Sequence, residues 1–70
     1  KESLKNQLSQ REVEIIKFIV NEHTNEEISK ILELSKRTVD NHRQNILTKL
    51  NLRNTAGLVR FAVENGILQD

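Results

Sequence analysis

The chain has 70 residues, no Cys, no Trp or Tyr, and a formal net charge of +1. This length provides for one small domain, and without Cys there are no disulfides and no thiolate metal sites. His23 and His42 are too far apart in sequence to form a helical metal pair, and two Phe residues are a poor platform for stacking single-stranded bases. No apolar run approaches the ~20 residues that a membrane span needs.

The charges are distributed unevenly along the chain. Residues 1–34 carry five Lys/Arg against seven Asp/Glu, a net charge of −2, and residues 55–70 carry −1. Residues 35–54 carry five basic residues against one acidic residue, a net charge of +4. A solvated helix usually carries both positive and negative side chains, so this concentration of positive charge indicates a surface that binds a polyanion.

The first half of the chain predicts two helices. Residues 1–7 are polar, and we expect a linker end or a frayed terminus there. Ser9 and Glu12 form a capping box that predicts a first helix ending at about Asn21, the expected left-handed residue of its exit. Its apolar face is expected to comprise Val13, Ile16, Ile19 and Val20. A second capping box begins at Thr24 and predicts a short helix over about residues 25–32, whose apolar face is Ile28, Ile31 and Leu32.

A tight turn over residues 32–35 precedes a third predicted helix. Leu34 is expected to point inward, and Ser35 is the expected N-cap of a helix over about residues 36–50. Its inner stripe is Val39, Ile46, Leu47 and Leu50. Its outer face presents Lys36, Arg37, Asp40, Asn41, Gln44 and Thr48. Two helices joined by a tight turn, the second of them basic, are typical of a helix-turn-helix that binds DNA.

A fourth helix is predicted over about residues 55–64, capped by Asn54 and terminated by Gly66 in the left-handed conformation. Four helices with short connections predict an all-α bundle. Apolar side chains cover roughly 220° of the fourth helix, whereas a surface helix normally shows a stripe a little over ~100° wide. Two interpretations stay open. Either this helix is well buried, or the edge formed by Ala56, Val59 and Val63 packs on a second copy.

Six short motifs occur in a specific order: residues 8–12 (LSQRE), 25–28 (NEEI), 35–39 (SKRTV), 41–43 (NHR), 45–46 (NI) and 49–50 (KL). Each motif alone is weak, but their order and spacing closely resemble the LuxR-type DNA-binding domain. That domain is the output domain of FixJ- and NarL-like response regulators and of quorum-sensing receptors. The resemblance covers about Leu8 to Leu68. It implies a domain over residues 8–70, a helix-turn-helix over 24–50 and a recognition helix over 36–50.

The resemblance implies sequence-specific binding of double-stranded DNA by a bacterial transcriptional regulator. The chain would be the C-terminal effector domain of a two-component response regulator located in the cytoplasm. The expected partners are DNA, a second copy bound through the fourth helix, and RNA polymerase, with no membrane contact and no cofactor. No nucleophile stands near a base at a recognisable spacing, and no Gly-rich phosphate loop is present, so the chain is not expected to be an enzyme.

The family's base contacts fall on Asp40, Asn41 and Gln44. The commoner pattern has Lys or Arg at the position of Asp40, and a carboxylate there cannot bind guanine N7 and O6. It can accept from cytosine N4, while Asn41 or Gln44 can make the paired bond to adenine. The alternative is that Asp40 only caps the helix or forms an ion pair with Arg37 or Arg43.

The expected phosphate contacts belong to two groups. The first group is cationic: Lys36, Arg37, Arg43, Lys49 and Arg53. The second group lies at helix starts, where N–H and hydroxyl groups can bind a phosphate oxygen: Thr24, Asn25, Ser35 and Thr38. His42 is expected to pack at the edge of the core with a hydrogen bond. His23 is expected to be solvated and to have no role.

Three competing interpretations are weaker. The fourth region of a sigma factor also ends in a helix-turn-helix, but the run Asn41-His42-Arg43 and the additional fourth helix favour the LuxR type. The chain could instead belong to a ligand-sensing regulator. A helical protein-interaction domain that has lost DNA binding would account for the low net charge and for Asp40. It would not account for a charge of +4 gathered in residues 35–54.

Overall fold

The computed structural model describes residues 7–67, and this part of the chain forms four α-helices and no strand. The helices are α1 (Gln10–Val20), α2 (Asn25–Leu32), α3 (Lys36–Leu50) and α4 (Thr55–Glu64). The predicted all-α, four-helix fold is confirmed. Of the linker end expected at residues 1–7, only Gln7 is described, and Leu68 also lies outside the described residues.

Each helix begins at a polar side chain that binds a free N–H of the first turn. Ser9 Oγ accepts from the Glu12 N–H at 3.1 Å, and Glu12 Oε1 accepts from the Ser9 N–H at 2.8 Å. Thr24 and Glu27 repeat this capping box at 3.1 and 2.8 Å. Single caps from Ser35 and Asn54 begin α3 and α4. Four consecutive caps fix where the helices start, which is why the sequence alone located them.

The helices end in left-handed residues that the sequence only partly predicted. Gly66 adopts φ 66°, as expected. The prediction for Asn21 was wrong, because its φ is −85° and the left-handed residue is Glu22, at φ 67°. The Asn21 side chain instead donates to the Lys17 carbonyl at 2.9 Å. Glu33, in the turn before α3, is also left-handed at φ 58°.

The buried stripe of α1 is shifted from the predicted one. Ile15 and Ile16 are fully buried and Ile19 is nearly so, whereas Val13 and Val20 are only half-buried. The helix packs against both α3 and α4, and the stripe that they cover repeats at i, i+3, i+4 and i+7 from Glu12. Because the first member of this repeat is a charged residue, the apolar pattern alone placed the stripe one position away.

The apolar face predicted for α2 was also partly wrong. Ile28 is fully buried, but Ile31 is 52% exposed. Ser29 takes the buried position beside Ile28, and its hydroxyl donates to the Glu26 carbonyl at 2.7 Å. This bond within the helix satisfies the hydroxyl, so a polar residue is tolerated where an apolar one was expected.

The helix α3 packs on α2 and α1 through Val39, Ile46 and Leu50, all of which are buried. Leu47 is half-buried and packs against the same core, as does Leu34 from the turn. The Leu34 N–H donates to the Ser29 carbonyl at 2.9 Å. These contacts hold α2 and α3 at one angle and leave the opposite side of α3 uncovered.

The helix α4 is buried on one side only. Leu58, Phe61 and Ala62 face the core, and α4 packs on α1. Val59 is half-buried, whereas Ala56 and Val63 are exposed, Val63 by 63%. The interpretation of α4 as a well-buried helix is therefore wrong at Ala56 and Val63.

Candidate nucleic-acid interface

The outer face of α3 is polar, exposed and without side-chain partners. It consists of Lys36, Arg37, Asp40, Asn41, Gln44 and Thr48. At about 100° per residue these six positions span an arc of about 140°. None of their side chains makes a hydrogen bond or an ion pair with another residue in the range 7–67. A face of this kind has all its donors and acceptors available to a ligand.

The start of α3 carries free donors and no acidic side chain in its first turn. Ser35 Oγ accepts from the Thr38 N–H at 3.0 Å and donates to Thr38 Oγ1 at 2.9 Å. The cap leaves the backbone N–H groups of Lys36 and Arg37 pointing out of the helix start. Together with the helix dipole and two cationic side chains, they make a favourable position for an anion.

The start of α2 differs, because it already holds carboxylates. Glu27 accepts from the Thr24 N–H, and Glu26 also lies in the first turn. Asn25 is half-buried, and its Oδ1 atom is buried without a donor among the described residues. Thr24 and Asn25 are therefore less suited than Ser35 and Thr38 to bind a phosphate.

Asp40 is an exposed carboxylate in a basic neighbourhood. The alternative prediction, an ion pair with Arg37 or Arg43, is not observed, since Asp40 has no ion-pair partner within residues 7–67. It does not cap α3 either, because that cap is Ser35. The carboxylate is free to accept a hydrogen bond from outside the chain.

Lys49 makes an ion pair that the sequence analysis missed. Its Nζ lies 2.8 Å from Oε1 of Glu12, whose side chain is only 6% exposed. Burial raises the pKa of the Glu12 carboxyl, but the hydrogen bonds from Lys49 and the Ser9 N–H, together with the charge of Lys49, lower it more. The resulting pKa of Glu12 is below the ordinary value of 4.5. The sequence does contain a signal for the burial of Glu12. Ile residues follow it at i+3, i+4 and i+7, and this spacing places Glu12 on the buried stripe of α1.

Arg43 also has a partner within the chain. Its guanidinium donates to Thr55 Oγ1, in the first turn of α4, at 2.8 Å. Arg43, Thr55 and Val59 form one wall of an open cleft of about 650 Å³, and the end of α1 and the start of α2 form the other. Arg43 thus links α3 to α4, at the edge of the outer face.

The remaining cation and the two histidines complete the predicted set. Arg53 is exposed in the loop between α3 and α4 and has no partner in the described part of the chain. His42 is half-buried, as expected, but makes no hydrogen bond to residues 7–67. The expectation that His23 is solvated was wrong. The residue is half-buried, its ring packs edge-on against the Phe18 ring with 5.2 Å between the centroids, and its Nδ1 lies 3.2 Å from the Phe18 carbonyl oxygen.

Residues 7–67 contain neither a membrane-spanning helix nor a cluster of metal ligands. No helix among them is both long and apolar enough to cross a membrane. No group of three or more His, Cys, Asp or Glu side chains in this range could hold a metal ion. The outer face of α3 carries six exposed polar side chains without a partner in residues 7–67.

Comparison with known proteins connects this geometry to a family. Residues 6–62 match the profile of the bacterial regulatory proteins of the luxR family. Over 62 residues the chain is 42% identical to the uncharacterized response regulatory protein YgeK of Escherichia coli, covering 89% of this chain and 42% of that protein. It is 39% identical over 61 residues to the transcriptional regulatory protein MctR of Rhizobium johnstonii, covering 87% and 28%.

A third relative is the oxygen regulatory protein NreC of Staphylococcus epidermidis, 39% identical over 62 residues, or 89% of this chain and 28% of that protein. The chain therefore spans less than half the length of each of these relatives. In all three cases the similarity extends over more than four-fifths of this chain.

Proposed function

The chain belongs to the luxR family of bacterial regulatory proteins and is a LuxR-type DNA-binding domain, and we propose that it is the C-terminal output domain of a cytoplasmic two-component response regulator. Support for that context comes from the relatives, since YgeK is named a response regulatory protein. A ligand-sensing regulator is the alternative context. The proposed function of the domain is sequence-specific binding of double-stranded DNA.

The observation that carries this proposal is the uncommitted outer face of α3. A helix of 15 residues is about 22 Å long, and the major groove is about 12 Å wide, which admits one α-helix. The outer face runs over about 18 Å, from Lys36 to Thr48. With base pairs about 3.4 Å apart, it can face about five base pairs. The core holds α3 from the other side, so the face can enter the groove without unfolding.

Base contacts are assigned to Asp40, Asn41 and Gln44. These residues lie within about 6 Å along the helix axis, so they reach two or three adjacent base pairs. The amides of Asn41 and Gln44 can make two bonds each to adenine N6 and N7. The free carboxylate of Asp40 can accept from cytosine N4 and repels guanine O6 and N7.

Phosphate contacts are assigned first to the side chains of Lys36, Arg37 and Arg53 and to the start of α3 at Ser35 and Thr38. These cations are exposed and have no partner in the described range. Contacts of this type fix the position of the domain and supply salt-dependent affinity, but they do not distinguish sequences. Thr24 and Asn25 are secondary candidates because carboxylates already occupy the start of α2.

Besides DNA, the proposed partner is another copy of the chain, bound through the edge of α4 formed by Ala56, Val59 and Val63. Support comes from the exposure of Val63, 63%, on a helix whose opposite side is buried. A two-fold dimer would place two α3 helices on two half-sites. RNA polymerase remains a proposed partner of the complete regulator, with no surface assigned to it.

Binding of the 70-residue chain to a random pool of labelled duplexes tests the proposed function. Fluorescence anisotropy over a range of low salt concentrations should give an association constant whose logarithm falls linearly with the logarithm of the salt concentration. Repeated selection from the pool should then enrich a short motif. Absence of binding at the lowest salt, or binding without any enrichment, would refute sequence-specific DNA binding.

A further inference from the structure

Two cations of α3, Arg43 and Lys49, differ from the other cations because each makes a hydrogen bond to a residue of another helix. Lys49 binds Glu12 of α1 at 2.8 Å, and Arg43 binds Thr55 of α4 at 2.8 Å. The cations Lys36, Arg37 and Arg53 have no such partner in the described part of the chain. The five cations of the basic segment therefore divide into two tied residues and three free ones.

The tied cations lie on opposite sides of the buried stripe. Arg43 precedes Ile46 by three residues and Lys49 follows it by three, so each lies about 60° from Ile46, one to either side. Gln44, in contrast, lies about 160° from Ile46, on the outer face. Two bonds that hold both flanks of a helix resist its rotation about its own axis, and this rotation decides which side chains face the DNA.

Release of Lys49 to a phosphate would leave Glu12 in an unfavourable state. The Glu12 side chain is 6% exposed, and its Oε1 atom accepts from both Lys49 and the Ser9 N–H. Lys49 itself is 42% exposed, but the loss of its charge would leave the buried Glu12 carboxylate with only the Ser9 N–H as a donor, which costs more than the loss of an ion pair between two exposed side chains. The ion pair between Lys49 and Glu12 is therefore expected to persist when DNA is bound.

We propose that Lys49 and Arg43 are positioning residues that fix the rotation of α3, and that Lys36, Arg37 and Arg53 supply the phosphate contacts. This inference rests on the proposed DNA-binding function and deepens it. It replaces the prediction that all five cations contact phosphates. Its consequence is that removal of a tied cation changes which sequences are preferred, whereas removal of a free cation changes the salt dependence.

The test compares Lys36→Met with Lys49→Met, since both remove one charge from α3 and keep most of the apolar stem. Binding of the 70-residue chain to a duplex enriched by selection is measured against the salt concentration. The Lys36→Met chain should lose about 0.9 from the magnitude of the logarithmic salt slope, the value for one phosphate contact. The Lys49→Met chain should keep the wild-type slope. Lys30→Met removes an exposed charge from α2 and controls for the change in net charge.

A second readout separates positioning from stability. The ratio of affinities for the enriched and a scrambled duplex should fall on the order of tenfold in Lys49→Met and Arg43→Met, about the discrimination carried by one base pair. Circular dichroism melts would define a temperature at which every variant is folded, so that lost stability cannot change this ratio. Lys49→Arg, which keeps the charge beside Glu12, should retain the wild-type ratio.

The outcomes are distinct. If Lys49→Met and Arg43→Met lower the slope as much as Lys36→Met and leave the ratio unchanged, both cations contact phosphates and the inference is wrong. If Lys49→Arg loses the ratio as fully as Lys49→Met, the charge beside Glu12 does not position α3, and the inference is also wrong. If the wild-type chain shows no salt-dependent binding, the proposed function itself has failed.

Discussion

Asp40 is the residue that most distinguishes the outer face of α3. Four of the six residues on this face are cations or amides, and Asp40 alone carries a negative charge. It is exposed and has no ion-pair partner in residues 7–67. A carboxylate in the major groove accepts hydrogen bonds but donates none, so we expect Asp40 to favour cytosine at the position it faces and to weaken the general attraction to phosphates.

We predict that Asp40→Ala relaxes a cytosine preference at one position of the selected motif. The loss should amount to about 1–3 kcal/mol of discrimination at that position, while affinity for unrelated duplexes increases. Parallel selections with the wild-type chain and the variant would measure both effects. Glu26→Ala, which removes a negative charge from α2, should leave the motif unchanged. An unaltered motif in Asp40→Ala would show that Asp40 makes no base contact.

Glu33 is a residue whose backbone costs stability. It adopts φ 58° in the turn before α3, a conformation that costs a residue with a Cβ atom about 1–2 kcal/mol. We predict that Glu33→Gly stabilises the domain by up to about 1 kcal/mol. The substitution removes the backbone strain at Glu33, but the greater freedom of Gly in the unfolded chain offsets part of that gain. Thermal unfolding would measure this as a rise in Tm.

Glu14→Gly is the matched control for this prediction. Glu14 is exposed within α1, where Gly costs about 1 kcal/mol relative to a good helix former. The two substitutions should therefore shift Tm in opposite directions. A fall in Tm for Glu33→Gly that equals the fall for Glu14→Gly would contradict the account of the turn.

At the scale of the elements, the pair of Glu12 and Lys49 joins the start of α1 to the end of α3. The pKa of Glu12 is lower in the folded chain than its ordinary value, so its carboxylate form stabilises the fold. That contribution is complete above about pH 4.5, the unfolded value, and is lost as the pH falls through the folded pKa.

We predict that the wild-type chain loses stability more steeply than Glu12→Gln as the pH falls below about 4.5. Gln keeps an acceptor for Lys49 and Ser9 but does not titrate. Urea unfolding of both chains from pH 6 to pH 3 would give the difference in the free energy of unfolding, and the other carboxylates cancel in that difference. Parallel curves over this range would contradict the lowered pKa.

Local chemistry explains why the helices were predictable from the sequence. Capping side chains at Ser9, Thr24, Ser35 and Asn54 mark every helix start, and each cap acts within three residues of its own position. The outer face of α3 followed from the period of a single helix. Both kinds of signal need no knowledge of how the helices pack on one another.

The features that the sequence did not predict depend on contacts between helices. Glu12 and Lys49 are 37 residues apart, and the sequence around either residue does not indicate that the other is its partner. The exposure of Ile31 depends on which side of α2 the other helices cover. Arg43 was predicted as a phosphate contact because of its charge, and its bond to Thr55 follows only from the position of α4. Contacts of Arg43 or Lys49 with a phosphate remain untested.

At the scale of the whole molecule, the domain exposes two large apolar side chains, Val63 on α4 and Ile31 on α2, within the part of the chain that the structure describes. They differ in their surroundings. Val63 continues an apolar edge with Val59 and Ala56, whereas Ile31 follows Lys30 on a charged helix. A continuous edge suits a symmetric contact between two copies better than a single exposed residue does.

We predict that Val63→Glu makes the chain monomeric at concentrations at which the wild-type chain dimerises. Because Val63 is 63% exposed, the substitution should change the stability of one copy by no more than about 0.5 kcal/mol. Ile31→Glu is the matched control, since it changes an apolar side chain that is 52% exposed outside the proposed contact. Sedimentation velocity would report both. Equal effects of the two substitutions, or a wild-type chain that stays monomeric at high concentration, would contradict a dimer through α4.

Selection from a random duplex pool with the wild-type chain, Asn41→Ala and Gln44→Ala tests whether the outer face of α3 selects the DNA sequence. We expect the wild-type chain to enrich one short motif. Each variant should still bind DNA but should lose preference at one or two adjacent positions of that motif. If both variants enrich the wild-type motif unchanged, Asn41 and Gln44 do not contact bases, and the assignment of this face is wrong.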